Sequence, residues 1–374
     1  MPLTESSQRS PALLSIQSRQ HQYSVLHFPD LAGALAFSQN PEKRFLLVDR
    51  RVHELYRKDF TGHEHGKLIL VEATEDHKSY LAIAPLFETL IRGGFKRDCL
   101  LTVVGGGIVQ DIGCFLASNL YRGLKWELIP TTLLAQGDSC IGSKSSINIG
   151  SFKNQLGSFY PPNRVLLSFD VLKTLGPDEI RSGLGEAIKL HFLESPLAVS
   201  RIEKHLLALG QTQPGSLDWQ GILKTIVTDS LHLKKTYIEE DEFDRGVRNL
   251  LNFGHTFGHA YESATHYAIP HGIAVTLGML TATWISTERN LIPRSHFDEV
   301  NRLLKPYYTP YEKELAQLTD RTLITAALKT DKKNTSGKVG CILTRGFGKM
   351  ERMPLDLESE LKRPLYAFLD WVRK

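Results

Sequence analysis

The spacing of apolar residues changes near residue 177 and divides the sequence into two parts of different character. In the first part, short apolar runs alternate with segments of helical spacing, which is typical of βαβ units and a parallel sheet. The second part shows helical spacing almost throughout. We therefore predict a flexible extension over residues 1–20, an α/β domain over residues 21–177 and an all-α domain over residues 178–374.

The predicted elements follow from these patterns. The predicted strands cover residues 44–49, 67–71, 99–104 and 126–130. The predicted helices cover residues 178–210, 217–238, 247–265, 271–290, 295–305 and 321–330. Residues 340–343 are predicted as a lone strand that returns to the first domain.

Composition narrows the range of partners. The 374 residues carry a formal net charge of +4 with no block of Lys or Arg, which argues against a nucleic-acid partner. No apolar run is long enough to span a membrane, and the first twenty residues lack the apolar stretch of a secretory signal. The four cysteines are scattered, as in reduced cytoplasmic proteins. We expect a cytoplasmic protein that binds a small molecule.

A group of histidines in the second part predicts a metal site. His255 and His259 are four residues apart, so both project from one face of a helix, with Asn252 one turn earlier. His271 follows, and Glu186 lies upstream. Imidazoles and a carboxylate can hold a divalent metal and leave a position for substrate. Any one of these histidines could instead cap a helix or fill the core.

A glycine turn in the first part indicates an anion site. Gly105, Gly106 and Gly107 follow a predicted strand and open a helix, with Asp111 in the predicted first turn. Glycines allow close approach of a phosphate, and helix N-terminal amides favour its charge. The pattern is not the GxGxxG fingerprint, so a tight turn without a ligand remains an equal alternative.

Further polar residues suit a dinucleotide and an anionic substrate. The ends of predicted strands carry Asp49, Glu75, Lys78, Thr131 and Thr132. A segment rich in glycine and serine carries Lys144, Lys153 and Asn154, and Arg122 could join them. The second part adds Lys189, Lys234 and Arg248. Such cations bind phosphate and carboxylate oxygens, although solvated loop charges are the alternative.

Taken together, these motifs resemble those of 3-dehydroquinate synthase and the wider sugar phosphate cyclase superfamily. In the order of the family, the sequence contains GGG-x3-D, PTTLLAQ-x-D-S, K-N-x-x-G, G-x-x-E-x-x-K, R-N-x-L-N-x-G-H-T-x-G-H-A and a following H-G. The resemblance covers residues 44–349. It implies an N-terminal α/β NAD domain and a C-terminal α-helical metal domain, usually in a homodimer.

The resemblance also implies roles for individual residues. The ligands of Zn²⁺ or Co²⁺ would be Glu186, His255 and His271, with His259 contacting phosphate or moving protons. Substrate contacts would be Asp138, Lys144, Asn154, Lys189, Lys234, Arg248 and Asn252, with Arg122 and Lys153 near the phosphate and either Lys332 or Lys333 as a late lysine. Contacts to NAD or its neighbourhood would be Asp49, Glu75, Lys78, Gly105, Gly106, Gly107, Asp111, Thr131, Thr132, Lys144 and Lys153.

The implied activity is that of a carbon–oxygen lyase of the shikimate pathway and aromatic amino acid biosynthesis. It would convert 3-deoxy-D-arabino-heptulosonate 7-phosphate to 3-dehydroquinate with release of phosphate. NAD would accept a hydride and return it within one turnover, so it would not be consumed.

Two departures from the family keep the substrate open. Gln110 stands where many relatives have Gly, and residues 142–146 replace the usual Gly-Gly-Lys-Thr-Ala. Cyclases of sedoheptulose 7-phosphate or glucose 6-phosphate are therefore alternatives, although Arg248, Asn252 and His259 favour a substrate with a carboxylate. The cation set argues against a metal-dependent polyol dehydrogenase, and the metal residues argue against an inactive regulator.

Overall fold

The chain forms two compact units in a computed structural model that describes residues 12–37, 41–62, 67–150, 152–318, 321–329 and 337–373. The first unit comprises Met1–Leu175 and Gln213–Phe243, and the second comprises Gly176–Thr212 and Asp244–Lys374. One boundary between the units lies at residues 175–176, and residues 213–243 belong to the first unit.

The elements have the following bounds. The strands are β1 Ala12–Gln17, β2 Gln22–Phe28, β3 Arg44–Asp49, β4 Leu68–Val71, β5 Leu100–Gly105, β6 Lys125–Pro130, β7 Ile147–Ile149, β8 Phe152–Leu156, β9 Arg164–Ser168, β10 Val339–Thr344 and β11 Met350–Leu355. The helices are α1 Leu31–Ala36, α2 Arg50–Leu55, α3 Tyr80–Arg92, α4 Gly107–Asn119, α5 Pro177–Glu194, α6 Pro196–Gly210, α7 Leu217–Glu240, α8 His255–Ala264, α9 His271–Glu288, α10 Arg294–Tyr308, α11 Glu312–Gln317, α12 Arg321–Lys329 and α13 Lys362–Val372. Short 3-10 turns include Leu120–Arg122, Phe169–Thr174 and Val247–Asn252, and Ala135–Ser139 is a π-helical turn.

The first unit is built on a sheet with strand order β1-β2-β9-β6-β5-β3-β4 among the described residues. Strand β1 is antiparallel to β2, and the remaining neighbours are parallel. Its central strands are apolar and buried on both faces, as expected for a parallel sheet covered by helices. Gly105 lies opposite Pro130, so the glycine turn and the residues after β6 meet at the carboxyl edge, where α/β proteins bind ligands.

The four predicted strands are confirmed to within a residue at each end, whereas other strands were missed. The predicted extension over residues 1–20 is wrong for residues 12–20, because β1 pairs with β2 and buries Leu14 and Ile16. Residues 1–11 lie outside the described part. The hairpin of β7 and β8 was missed because β7 has only three residues and three of the five residues of β8 are polar.

Helix α7 joins the first unit through an apolar face. Its residues Leu223, Ile226 and Val227 are buried, and the helix packs on β1, on the π-helical turn and on the 3-10 turn Phe169–Thr174. Helical spacing predicted this helix but could not say which elements it would pack on. The prediction that residues 178–374 form one domain is therefore wrong for α7.

The second unit is mostly helical, with α9 at its centre. Helix α9 is apolar around its circumference and buried along nearly its whole length, and it packs on α5, α8 and α10. The all-α prediction is wrong in one detail, because β10 pairs with β11 in an antiparallel hairpin. The strand predicted to return to the first domain thus belongs to the second unit. Gly346 and Gly348, at φ 117° and 74°, form the turn.

No helix in the described ranges is both long enough and apolar enough to cross a membrane.

Candidate functional site

Three helices of the second unit cross at glycines. A methyl group on Gly185 of α5 would lie 2.4 Å from the carbonyl oxygen of Gly272 on α9, and one on Gly272 would lie 1.9 Å from that of Ser182. A methyl group on Gly278 of α9 would lie 1.9 Å from the carbonyl oxygen of Gly254, just before α8. Only glycine allows the backbones to approach so closely. The crossing points are therefore fixed by contact between main chains.

Each predicted metal ligand is next to one of these glycines in sequence. Glu186 follows Gly185, His255 follows Gly254, and His271 precedes Gly272. The close crossings therefore bring these three side chains together from α5, α8 and α9.

The distances within this group fit a divalent metal. Oε1 of buried Glu186 lies 3.6 Å from Nε2 of His255 and 3.3 Å from Nε2 of His271. Two ligands that are each about 2.1 Å from a tetrahedral ion are about 3.4 Å apart. His255, His259 and His271 can also each offer one nitrogen with all three within 4.8 Å of one another, although His259 is exposed. The chemistry and spacing of these donors suit a metal such as Zn²⁺.

Glu262 is a member of this group that sequence reasoning missed. Both of its carboxylate oxygens lie 3.2 Å from Nδ1 of His271, so it can accept a hydrogen bond that leaves Nε2 facing Glu186. Its position seven residues after His255, on the same helix face, was the available signal. Burial opposes protonation of His271, but Glu262 and Glu186 outweigh it and raise the pKa of the imidazole to about 10.

The remaining predicted residues of the second unit lie on two elements. Lys189, which is buried, donates a hydrogen bond to Oε2 of Glu186. Arg248 is buried in the 3-10 turn Val247–Asn252, and the amide of Asn252 donates to the carbonyl of Asn249 at 3.0 Å.

The prediction of a single helix over residues 247–265 is wrong. Gly254 adopts φ 82° and separates the 3-10 turn from α8, so Asn252 is not one helical turn before His255. The prediction that His255 and His259 share a helix is confirmed.

In the first unit, the glycine turn has one structural side and one open side. A methyl group on Gly105 would lie 2.6 Å from Val109, and one on Gly106 would lie 2.8 Å from Thr132, so packing alone requires both glycines. At Gly107 the nearest atom would be 3.9 Å away, which leaves room for a ligand beside the first turn of α4. Asp111 lies in the second turn of α4, and its predicted place in the first turn is therefore wrong.

A hydrogen-bond network centred on Lys78 links several predicted residues. Its buried ammonium lies 3.3 Å from Asp111, 3.0 Å from Oδ1 of Asn154 and 3.5 Å from Glu75. The amide and hydroxyl of Ser146 donate to Asp111 at 3.1 and 3.0 Å. Burial raises the pKa of the Asp111 carboxyl, against the opposing effects of Lys78 and Ser146.

The hairpin of β7 and β8 extends this network. Asn148 donates to Glu75 at 2.9 Å and accepts from the amide of Asn154, also at 2.9 Å. Lys153 lies 3.7 Å from Glu75. The structure thus brings together five predicted residues, Glu75, Lys78, Asp111, Lys153 and Asn154. Ser146 and Asn148, which connect them, were missed because nothing but their polarity distinguishes them in the sequence.

Asp138 and Lys234 form a second pair in the first unit. The ammonium of Lys234 on α7 lies 2.5 Å from the carboxylate of Asp138 and donates to its carbonyl at 2.6 Å. Asp138 belongs to the π-helical turn, a backbone form that is frequent at functional sites.

Other predicted residues have local partners or stand apart. The carboxylate of Asp49 caps α2 by accepting from the amide of Arg51, and Thr132 accepts from the amide of Ala135. Among the described residues, no hydrogen bond or ion pair joins Arg122 to the Lys78 network, and its φ of 66° is left-handed. Lys332 and Lys333 lie outside the described residues.

Known proteins resemble this chain along most of its length. Family models described as the N-terminal and C-terminal parts of 3-dehydroquinate synthase match residues 68–182 and 183–334. A 3-dehydroquinate synthase of Alkaliphilus metalliredigens is 35% identical over 335 residues, which cover 88% of this chain and 90% of the relative. One from Streptococcus equi is 30% identical over 367 residues, which cover 96% of this chain and 97% of the relative.

The chain belongs to the 3-dehydroquinate synthase family. The predicted family is thereby confirmed, and the protein is an enzyme of this family.

Solved structures of similar fold come from sugar phosphate cyclases and dehydrogenases. A 2-epi-5-epi-valiolone synthase from Streptomyces hygroscopicus, with NAD⁺ and Zn²⁺ bound, has a TM-score of 0.76 at 25% identity and covers 93% of this chain and 97% of its own. A 2-deoxy-scyllo-inosose synthase with carbaglucose-6-phosphate, NAD⁺ and Co²⁺ has a TM-score of 0.78 at 21% identity and covers 95% of this chain and 98% of its own. A glycerol dehydrogenase from Schizosaccharomyces pombe has a TM-score of 0.62 at 16% identity and covers 92% of this chain and 88% of its own. The latter two identities show likeness of fold alone.

Proposed function

We propose that this member of the 3-dehydroquinate synthase family is a NAD- and metal-dependent sugar phosphate cyclase. Its substrate would be 3-deoxy-D-arabino-heptulosonate 7-phosphate, and its products 3-dehydroquinate and inorganic phosphate. The main support is the approach of Glu186 to His255 and His271 at 3.6 and 3.3 Å, in a chain whose relatives are named 3-dehydroquinate synthase.

Glu186, His255 and His271 would hold Zn²⁺ or Co²⁺. When bound, the ion supplies a Lewis acid that makes a substrate hydroxyl more acidic and polarises a carbonyl. Lys189 donates to Oε2 of Glu186, which leaves Oε1 facing the two histidines. Glu262 holds the ring of His271 in the orientation that presents Nε2.

His259 would act on the substrate and not on the metal. It is exposed, while Glu186 is buried against both of the other rings. An imidazole in this position can accept the proton that leaves carbon when phosphate is eliminated, or donate to the phosphate.

The first unit would bind NAD, which supplies a hydride acceptor that is restored within the same turnover. The open space beside Gly107, at the N-terminus of α4, suits a phosphate. Asp49 and Thr131 lie at the same carboxyl edge of the sheet, which suits ribose hydroxyls. The proposed set is completed by Glu75, Lys78, Gly105, Gly106, Asp111, Thr132, Lys144 and Lys153.

The cations would hold the phosphate and carboxylate of the substrate in one orientation. Arg122 and Lys153 are the proposed contacts near the phosphate. Further proposed substrate contacts are Asp138, Lys144, Asn154, Lys189 and Lys234. Arg248 and Asn252 are the proposed contacts for the carboxylate. The number of cations among the proposed contacts favours a doubly anionic substrate over a neutral polyol.

A cyclase that acts on another sugar phosphate is the second candidate. The solved 2-epi-5-epi-valiolone synthase is 25% identical and similar in fold over most of both chains. The unusual sequence of residues 142–146, which includes the proposed contact Lys144, also favours keeping this alternative.

The test is release of phosphate from three sugar phosphates. Purified protein with NAD⁺ and Zn²⁺ or Co²⁺ would be given separately 3-deoxy-D-arabino-heptulosonate 7-phosphate, sedoheptulose 7-phosphate and glucose 6-phosphate, and each product identified by mass. We expect phosphate from the first substrate without net NADH. Phosphate only from one of the others would replace the proposed substrate. In a fourth incubation, with glycerol, net formation of NADH would indicate a polyol dehydrogenase.

A further inference from the structure

The segment Gly142–Ser146, here called the Lys144 segment, is held at successive residues within the first unit. The amide of Gly142 donates to the hydroxyl of Tyr23 at 3.1 Å. The amide of Ser145 donates to the carbonyl of Ser158 at 2.9 Å, and Ser146 donates twice to Asp111. The segment therefore connects the proposed substrate contact Lys144 with the Lys78 network.

Glu242 holds this segment from outside the group already described. It lies two residues beyond the end of α7, and its carboxylate is buried. Oε1 accepts from the hydroxyl of Ser18 at 2.5 Å and from that of Ser143 at 3.3 Å, and Oε2 accepts from the amide of Arg19 at 2.6 Å. One carboxylate thus ties the residues after β1 to the Lys144 segment.

The backbone of Ser143 explains why such a contact is needed. Gly142 and Ser143 have φ of 105° and 67°, so two consecutive residues are in the left-handed region. Glycine adopts this region freely, but a residue with a side chain pays a conformational penalty. Such a conformation persists where the surroundings over-determine it. The buried hydrogen bond from Ser143 to Glu242 stabilises this turn immediately before Lys144.

The turn fixes where Lys144 lies. The backbone of Lys144 forms an isolated antiparallel β-bridge with that of Phe159, and the Lys144 ammonium is 5.8 Å from the centre of the Phe159 ring. The amide of Tyr160 donates to the carbonyl of Ser143 at 2.7 Å. A change in the backbone at Ser143 would therefore move Lys144 relative to its neighbours.

We propose that Glu242 is a positioning residue that acts through Ser143 to hold the Lys144 segment in its working conformation. The part of this inference that concerns turnover rests on the proposed function, in which Lys144 contacts the substrate. The part that concerns backbone order does not, so the two can be tested separately.

The first experiment measures backbone order by native-state hydrogen exchange of the amides of Ser145 and Tyr160. Glu242→Gln replaces one carboxylate oxygen by an NH2 group, which donates and cannot accept a hydrogen bond. Glu239→Gln is the matched control, because Glu239 also accepts from this strand end, at the amide of Gln17, but does not contact the segment. We expect both amides to exchange at least tenfold faster in Glu242→Gln and to be unchanged in the control.

Variants at Ser143 separate positioning from general stability. Ser143→Ala loses the hydrogen bond but keeps the backbone penalty, so it should reproduce the faster exchange. Ser143→Gly loses both the hydrogen bond to Glu242 and the backbone penalty, so its amides should keep most of their protection from exchange. Combined with Glu242→Gln, it should restore the protection that Glu242→Gln loses. In the double variant Glu242→Gln/Ser143→Ala, exchange should be little faster than in either single variant, since both substitutions remove the same hydrogen bond between Ser143 and Glu242.

The second experiment measures kcat/KM for the sugar phosphate from which the wild-type protein releases phosphate. Displacement of an orienting group costs on the order of tenfold to a hundredfold, and we expect this loss in Glu242→Gln and Ser143→Ala. Ser143→Gly should recover activity in the Glu242→Gln background, with an unfolding midpoint close to that of Glu239→Gln.

Two results would overturn the inference. One is unchanged exchange at Ser145 and Tyr160 in both Glu242→Gln and Ser143→Ala. The other is faster exchange at all amides together with an equally lowered unfolding midpoint, which would make Glu242 a general stabilising residue. If wild-type protein releases no phosphate but the exchange pattern is as expected, the proposed function fails while the role of Glu242 in backbone order stands.

Discussion

The two units position their candidate residues in different ways. In the second unit, Glu186, His255 and His271 are placed by helices whose main chains touch at glycines. In the first unit, Lys78, Asp111 and their neighbours are placed by side-chain hydrogen bonds that join a hairpin, a helix and loops. The first arrangement depends on a few contacts that tolerate no added atom, and the second on many contacts of modest strength. Single substitutions should therefore have larger effects in the second unit.

The largest effect is expected from removal of a proposed metal ligand. His271→Ala should abolish stoichiometric Zn²⁺ binding and turnover, because Glu186 and His255 alone leave the ion two protein ligands. Metal content after gel filtration, measured by mass spectrometry, gives the result independently of activity. Full metal content with wild-type turnover would remove His271 from the proposed ligand set, and retained metal without turnover would point to His259 as a replacement ligand.

The next largest effect is expected where α9 passes Gly254. Gly278→Ala places a methyl group 1.9 Å from a carbonyl oxygen, so the helices must separate. Overpacking of this kind typically costs about 1–3 kcal/mol, and we expect the upper end. Gly210→Ala, at the end of α6 in the same unit, is the control because a methyl group there meets nothing within 4 Å. Urea unfolding of both variants checks this, and equal midpoints would contradict the importance of the crossing.

A substrate-dependent effect is expected at Arg248. Arg248→Ala should lower kcat/KM for the carboxylate-bearing substrate by an amount that corresponds to roughly 1.5–3 kcal/mol, the worth of a hydrogen bond to a charged group. A sugar phosphate without the carboxylate should be less affected. Parallel assays of the two substrates measure the difference, and an unchanged kcat/KM for both would exclude Arg248 from the site.

Zn²⁺ binding at the proposed metal site should also depend on pH. Glu262 and Glu186 raise the pKa of His271 to about 10, so the imidazole of the metal-free protein is protonated at neutral pH. A metal binds the neutral imidazole and must displace this proton. At pH values below this pKa, apparent Zn²⁺ affinity should therefore increase about tenfold for each unit by which the pH is raised. Competition with a chelator at pH 7 and 8 tests this, and equal affinity at both would be the contrary result.

The smallest effect is expected in the first unit. Ser146→Ala removes the hydroxyl hydrogen bond to Asp111, but the backbone amide of residue 146 still donates to that carboxylate and Lys78 still faces it. A hydrogen bond contributes about 1 kcal/mol, so NAD⁺ affinity should fall roughly fivefold. Isothermal titration measures it. A loss as large as that in His271→Ala would show that the hydrogen-bond network is as intolerant as the glycine crossings, and the contrast between the units would then disappear.

Sequence patterns predicted elements better than their arrangement. The spacing of His255 and His259 was sufficient to place both on one helix, because helical periodicity is local. Nothing local shows that Glu186 lies beside His271, since that depends on where α5 crosses α9. Their proximity could be expected only from the resemblance of the motifs to a known family.

The network of the first unit was less predictable for a related reason. Asn148 and Ser146 are ordinary polar residues until the hairpin of β7 and β8 brings them to Glu75 and Asp111. The packing of α7 shows the same limit, because its periodicity indicates an apolar face but not which surface will cover it.

The path of the chain through α7 has a consequence for synthesis. The sheet of the first unit is complete in sequence at Ser168, yet residues 213–243 also belong to that unit. On the ribosome, where chains grow at about 5–20 residues per second, the sheet is made several seconds before α7 can cover it. During that interval the surface that later receives Leu223, Ile226 and Val227 is open to water, to chaperones and to other nascent chains. A fragment that ends at Leu175 would keep this surface permanently uncovered, and we expect it to aggregate where the full chain does not.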